Sequence, residues 1–231
     1  MKSIFQLRIV LDNLEPEISR TILVESDMDL HRLHLAIQYA MGWENSHLYF
    51  FENKDNKYEV PEEVYDKASN YDFGVYKVKV KTDKNNWDEL FAKMPHMTAH
   101  VRVPKKGVDC REKLISEILT NQGDTLSYTY DFGDNWKHTI TLEKISEHET
   151  GKIYPICTEA KGACPPEDCG GIPGYMLFLE AIKDKKHPNH KEMLEWFDGV
   201  FDPELVNLKK TNAQLTRLFT SKAALAVQIK P

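Results

Sequence analysis

Hydrophobic and polar positions alternate from the start of the chain. Phe5, Leu7, Ile9 and Leu11 fall on one face of an extended run at residues 4–11, the two-residue period of a strand. Residues 13–16 are turn-like, and residues 18–25 supply a second strand that pairs with the first as a hairpin. The period then changes. Leu30, Leu33, Ile37 and Met41 share a helical face. Asp27 is the expected N-cap and Gly42 the C-terminal stop. Residues 48–52 and 57–60 predict another hairpin across a polar turn, so residues 1–70 read as a β-β-α-β-β unit.

Past the middle of the chain, residues 111–121 predict an amphipathic helix with Leu114, Ile115, Ile118 and Leu119 turned inward. Leu126, Tyr128 and Tyr130 then alternate with Ser127, Thr129 and Asp131, and strand character resumes at residues 139–145. The intervening Phe132-Gly133-Asp134-Asn135 is turn chemistry, so a hairpin follows. Residues 174–183 predict a helix burying Tyr175, Leu177, Phe178 and Ile182, and residues 193–197 a second anchored by Trp196. A third starts at Asp202-Pro203-Glu204 and packs Leu205, Leu208, Leu215 and Leu218 on the sheet. The tail after Thr220 is expected to dock as an extra strand. The expected architecture is α+β: a mixed, mainly antiparallel sheet in two halves with flanking helices. It forms a single domain over residues 1–231, with sub-units 1–70, 71–107 (a basic insertion) and 108–220.

Composition adds bounds. With 41% hydrophobic and 29% charged residues and a net charge of −6, the 231-residue chain is an ordinary globular sequence and no general nucleic-acid binder. Residues 72–107 differ, with eight Lys or Arg against four acids. Lys77, Lys79 and Lys81 alternate with Val78 and Val80, a face that could meet the phosphates of a nucleic acid. The plainer account is a solvated outer face or a lysine-guarded edge strand. No apolar run is long enough for a membrane span, and the N-terminus lacks a signal-peptide core, so a cytoplasmic protein is expected.

The candidate chemistry lies in one stretch, residues 128–175, with a cluster at each end. The first holds Asp131, Asp134 and His138 near the hairpin turn. Two carboxylates and an imidazole suit a divalent metal or acid–base work. The second is Cys164-Pro165-Pro166-Glu167-Asp168-Cys169-Gly170-Gly171. The prolines fix an extended chain, and the glycines demand turns or close backbone approach. Glu167 and Asp168 are adjacent acids that need something cationic nearby. Candidate catalytic residues are therefore Asp131, Asp134, His138, Glu167 and Asp168.

Cys110 reads as a small residue opening a helix. A zinc set drawn from His138, Cys157, Cys169 and Asp168 has suitable atoms, although the cysteine spacing is not that of a zinc knuckle. The plainer account makes Asp134 and Asp168 backbone caps, Trp136 a lid and His138 a cross-strand partner. His34 and Gln38, four apart on one helical face, could touch one ligand. His47, Trp136 and Tyr175 complete the ligand-contact candidates.

YTYDFGDNWKH followed by CPPEDCGGIPGY resembles the Ri-plasmid open-reading-frame-three-like family, also called mobile-element passenger proteins. Phe5-Gln6-Leu7-Arg8-Ile9, Met41-Gly42-Trp43, Ser46-His47-Leu48 and Phe201-Asp202-Pro203-Glu204 extend the resemblance over most of the chain. Ile18-Ser19-Arg20 departs from it, because the family usually has a tryptophan before the arginine. The family is largely uncharacterised, so the resemblance implies a mixed α+β fold and, by name, a mobile-element accessory role. No GxSxG, HExxH, Walker or dinucleotide fingerprint is present. Three functions remain: a ligand- or metal-binding protein, a metal-dependent hydrolase on the Asp/His cluster, and a nucleic-acid-binding accessory protein.

Overall fold

The computed structural model describes residues 2–61 and 107–220. The lysine face at residues 77–81, the 71–106 part of the insertion and the tail after Thr220 lie outside the described residues. The predicted first hairpin forms as β1 (Ser3–Leu11) and β2 (Ile18–Glu25), followed by α1 (Leu30–Met41). Next come β3 (Tyr49–Glu52), β4 (Lys57–Glu59) and β5 (Gly107–Asp109). The central hairpin is β6 (Thr125–Tyr130) and β7 (Trp136–Glu147), and β8 (Ile156–Lys161) follows. The described residues end with α2 (Gly171–Lys183), α3 (His190–Phe197) and α4 (Leu208–Thr220).

The eight strands among the described residues form one sheet in the order β5-β4-β3-β6-β7-β1-β2-β8. Every pairing is antiparallel except β4 with β5. The mixed, mainly antiparallel α+β architecture is the one the hydrophobic pattern predicts. The β6–β7 hairpin is its middle, since β1 pairs with β7 and β3 with β6. Strands nearest the N-terminus therefore flank the hairpin on both sides, which packs Leu7, Ile9, Phe51, Tyr128, Trp136 and Ile140 into one fully buried core. α4 packs against β8 and α1, with the Arg32 guanidinium 5.3 Å from the centre of the Phe219 ring.

Local details depart from expectation. The α1 N-cap is Asp29, whose carboxylate accepts from Arg32 N–H at 2.8 Å. Asp27 instead pairs with Lys2. Gly42 does cap the helix, in the left-handed conformation. Residues 111–121 are not an α-helix. Two single 3₁₀ turns, Cys110–Glu112 and Ile115–Glu117, flank a backbone link to the start of α1. Leu30 N–H donates to the Lys113 carbonyl and Ile115 N–H to that of Met28. Those tertiary bonds outcompete helical ones, burying Ile115 and Leu119 and leaving Leu114 exposed. The last helix starts at Leu208 rather than at residue 202, so Leu205 is outside it and exposed. Leu177 is exposed as well.

Arg20 ties the halves of this arrangement together. Its guanidinium is buried and donates to the carbonyls of Ser19, Ala40, Lys161 and Gly162 at 2.7–3.1 Å. The end of α1 is thereby fixed to the end of β8, where the Pro-rich loop begins.

Candidate functional site

Two turns and a loop meet beyond the C-terminal end of α1. The first is the stretch after Gly42, where Asn45 adopts a positive φ of 58°. A buried network sets it. Gln38 Nε2 donates to the Tyr128 hydroxyl at 2.9 Å, and that hydroxyl lies 2.8 Å from His34 Nδ1. His34 Nε2 is 2.6 Å from Asn45 Oδ1, so hydrogen-bond consistency places the ring proton on Nε2. Asn45 N–H in turn donates to Gln38 Oε1. Burial holds the His34 ring far below the ordinary histidine range, and hence neutral. His34 and Gln38 are both fully buried, so they shape the stretch from behind and do not face an incoming ligand.

The second element is the β6–β7 turn. Asp131 takes φ 53° and Asn135 φ 57°, conformations that Asp and Asn tolerate better than most residues. Asp131 Oδ1 accepts from Gly133 N–H at 2.8 Å, which leaves Oδ2 turned toward His47. The third is the loop of residues 164–170. Trp43 Nε1 donates to the Pro165 carbonyl, and Asp134 Oδ2 accepts from Gly170 N–H at 3.1 Å. Close approach explains the glycines. A Cβ on Gly171 would stand 2.6 Å from the Asp134 carbonyl oxygen, and one on Gly174 1.9 Å from that of Cys169.

These elements converge on His47 Nε2. It lies 3.1 Å from Asp168 Oδ1, 3.7 Å from Asp131 Oδ2 and 3.8 Å from Glu167 Oε2. Asp131 and Glu167 side chains are mostly buried, at 9% and 18% exposure, whereas that of Asp168 is 72% exposed. Glu167 Oε1 is held by the Tyr130 hydroxyl and by Glu44 N–H, both at 2.9 Å. Tyr130 in turn accepts from Ser46 N–H. His47 Nε2 and Glu167 Oε2 are buried, yet neither has a hydrogen bond of acceptable geometry among the described residues. Burial raises the pKa of Glu167, against the opposing pull of the Glu44 and Tyr130 hydrogen bonds and of His47. His47, Asp131 and Asp168 are the one group of three or more potential metal ligands that comes together among the described residues. A larger hollow of about 640 Å³ at the β1–β2 turn shares no residue with the cluster.

The zinc set drawn from sequence is not assembled. His138 is on β7 and Cys157 on β8, with β1 and β2 between them. The Cys157 thiol points to the carbonyl of Glu159. Burial pushes the Cys157 and Cys164 thiols up, and that of Cys169 to about 12, so all three are protonated at neutral pH. His138 is fully buried beside Trp43, 5.3 Å away edge-on. Burial lowers its pKa to about 3. Alternation along β7 turns its ring into the core, away from the turn that precedes it. Asp134 is the backbone staple of the plainer reading. Trp136 and Tyr175 are buried, Trp136 close to Trp43 and Tyr175 edge-on to Phe201. The indole that bonds the proline loop is that of Trp43.

Of the sequence candidates, His47, Asp131, Glu167 and Asp168 are therefore the ones brought to one point. Tyr130 and the backbone N–H groups of Glu44 and Ser46 were not among them. The signal for Tyr130 is its place beside Asp131 at the strand end.

A family model described as plasmid pRiA4b ORF-3-like protein matches residues 3–210. An uncharacterised protein, y4hQ, of Sinorhizobium fredii (strain NBRC 101917 / NGR234) is 32% identical over 212 residues, covering 91% of this chain and 89% of its own length. The crystal structure of a protein of unknown function from Methanosarcina mazei Go1 superposes with a TM-score of 0.68 at 28% identity. That match covers 90% of this chain and 97% of the other.

Proposed function

The chain belongs to the plasmid pRiA4b ORF-3-like family, whose matched relatives carry no assigned activity, and from that starting point we propose that it binds a divalent metal ion through His47, Asp131, Glu167 and Asp168. The observation that carries this reading is a pair of buried atoms without a hydrogen bond of acceptable geometry among the described residues, His47 Nε2 and Glu167 Oε2, 3.8 Å apart. Buried polar atoms of this kind cost about 1–3 kcal/mol each when left unmade. A cation placed among them satisfies both. Ligand atoms on one ion with bonds of about 2.0–2.2 Å stand about 3–3.6 Å apart, close to the 3.1–3.8 Å separations around His47 Nε2. One imidazole with three carboxylates favours Mn²⁺, Fe²⁺ or Zn²⁺ over Ca²⁺ or Mg²⁺.

Metal-dependent hydrolysis is a second reading, supported by the exposure of Asp168. A centre closed on the Asp131 and Glu167 sides and open at Asp168 keeps a coordination position for water or substrate, as hydrolytic centres do. Tyr130 and Glu44 would fix the Glu167 carboxylate from behind. The test is to add Mn²⁺ or Zn²⁺ to metal-stripped protein and follow melting and bound metal. One equivalent bound with a raised Tm supports the reading. An unchanged Tm with no retained metal removes it.

A further inference from the structure

Asp168 also lines a second feature. Between α2 and α3 runs a groove of about 360 Å³, walled by Asp168, Leu177, Phe178, Ala181, Met193 and Trp196. Its walls are apolar where helix surfaces are ordinarily polar. Leu177 is 65% exposed and Trp196 47% exposed, while α3 contains no buried residue at all. The Trp196 ring is fixed edge-on against Phe178, centroids 5.7 Å apart, so the wall is preformed. Concave, largely apolar hollows of a few hundred Å³ with a few polar groups at one end suit small molecules.

We infer that this groove seats the apolar body of a small-molecule substrate whose oxygen-bearing head is held at the His47–Asp131–Glu167–Asp168 centre. The inference rests on the metal-binding reading above. Continuity fixes the occupant: one exposed residue, Asp168, both lines the groove and carries the nearest of the three carboxylates around His47 Nε2. On this inference, a ligand that approaches the centre past Asp168 rests its apolar body against Leu177 and Trp196. Its class is a compound with a metal-chelating head, such as a carboxylate, phosphate or hydroxamate, joined to an aromatic or branched aliphatic group. A flat ring matches Trp196 and Phe178, which offer offset or edge contacts to it.

The experiment compares two hydroxamate probes on Mn²⁺-loaded protein by calorimetry. Acetohydroxamate reports the centre alone, and 3-phenylpropanohydroxamate reports the centre plus the groove. The phenyl compound should bind at least about tenfold tighter, in line with burial of most of a ring. Leu177→Asp and Trp196→Ala, both at exposed positions, should reduce that advantage to about threefold or less and leave acetohydroxamate binding unchanged. Equal binding of the two probes to the wild type overturns the groove and leaves the metal centre standing. An advantage that survives both substitutions overturns it too. Binding of neither probe, with no Mn²⁺ retained, removes the centre and the inference with it. If Leu177→Asp changes the molecular mass but not the phenyl advantage, the face meets a second copy of the chain and the inference fails.

Discussion

Glu167 has two oxygens in two different situations. Oε1 receives hydrogen bonds from Tyr130 and Glu44, and Oε2 is buried facing His47 without one. Glu167→Gln keeps an acceptor for Tyr130 and Glu44 but removes the charge. It should change stability by no more than about 1 kcal/mol and lower metal affinity about 10–100-fold, the usual scale for changes close to a metal. Equal affinity by calorimetry would take Glu167 out of the centre. The pH dependence has a defined sign. Burial raises the Glu167 pKa, so the proton competes with metal to higher pH than at an ordinary carboxylate. Affinity should rise as pH increases from acid to neutral, with proton release on binding. An affinity independent of pH over that range would contradict this.

Among the elements, the proline–glycine loop and the β6–β7 turn work as a pair. The Gly171 position has φ +66° and no room for a Cβ against the Asp134 carbonyl. Gly171→Ala should destabilise by about 2–4 kcal/mol through strain and displacement, and should weaken metal binding because residues 167 and 168 move with the loop. Denaturant melts and metal titration of the same sample check both effects. If the fold is weakened and the affinity is intact, the loop does not place the ligands. Trp136→Ala, in the fully buried core, should cost about 3–5 kcal/mol while leaving the ligands in place.

The sequence shows these elements unevenly, for physical reasons. Strand alternation at Phe5 to Leu11 and Leu126 to Tyr130 was readable because each strand has one buried face. The run after Cys110 read as a helix because its apolar spacing fits one, whereas backbone bonds to Met28 and Leu30 decide its path. Asp131, Glu167 and Asp168 stood out by density and by their rigid neighbours. The role of His47 depends on the Asn45 turn and the His34–Tyr128–Gln38 network. Such contacts join residues about 90 positions apart and leave no periodic trace. The zinc set fails for the opposite reason: His138 and Cys157, near in sequence, lie on strands with two others between them.

At the scale of the whole molecule, acid sensitivity follows from two buried imidazoles, His34 and His138, and the partly buried His31. Burial lowers the pKa of His31, takes His34 well below 6.5 and brings His138 to about 3. In the unfolded chain each takes a proton near the ordinary histidine value of about 6.5. The unfolded state therefore binds more protons below that pH, and stability is lost as pH falls beneath it. Each group contributes up to about 1.4 kcal/mol per pH unit. Neither His138 ring nitrogen has a hydrogen bond of good geometry among the described residues, and the Tyr128 and Trp136 backbones only partly offset the effect of burial, so His138→Leu should be tolerated at pH 7 and should shrink the loss between pH 6.5 and 5. An unaltered slope in chemical melts at the two pH values would refute that assignment. No helix among the described residues is long and apolar enough to cross a membrane.

The arrangement of the whole sheet serves one place, where the central hairpin, the end of α1 and the proline loop converge. Anomalous diffraction from crystals soaked in Mn²⁺ tests that convergence directly. One peak is predicted at about 2.0–2.3 Å from His47 Nε2, Asp131 Oδ2 and Asp168 Oδ1, with Glu167 Oε2 completing the set, and it should vanish in His47→Gln crystals. A peak elsewhere, or none at a saturating soak, would contradict the account.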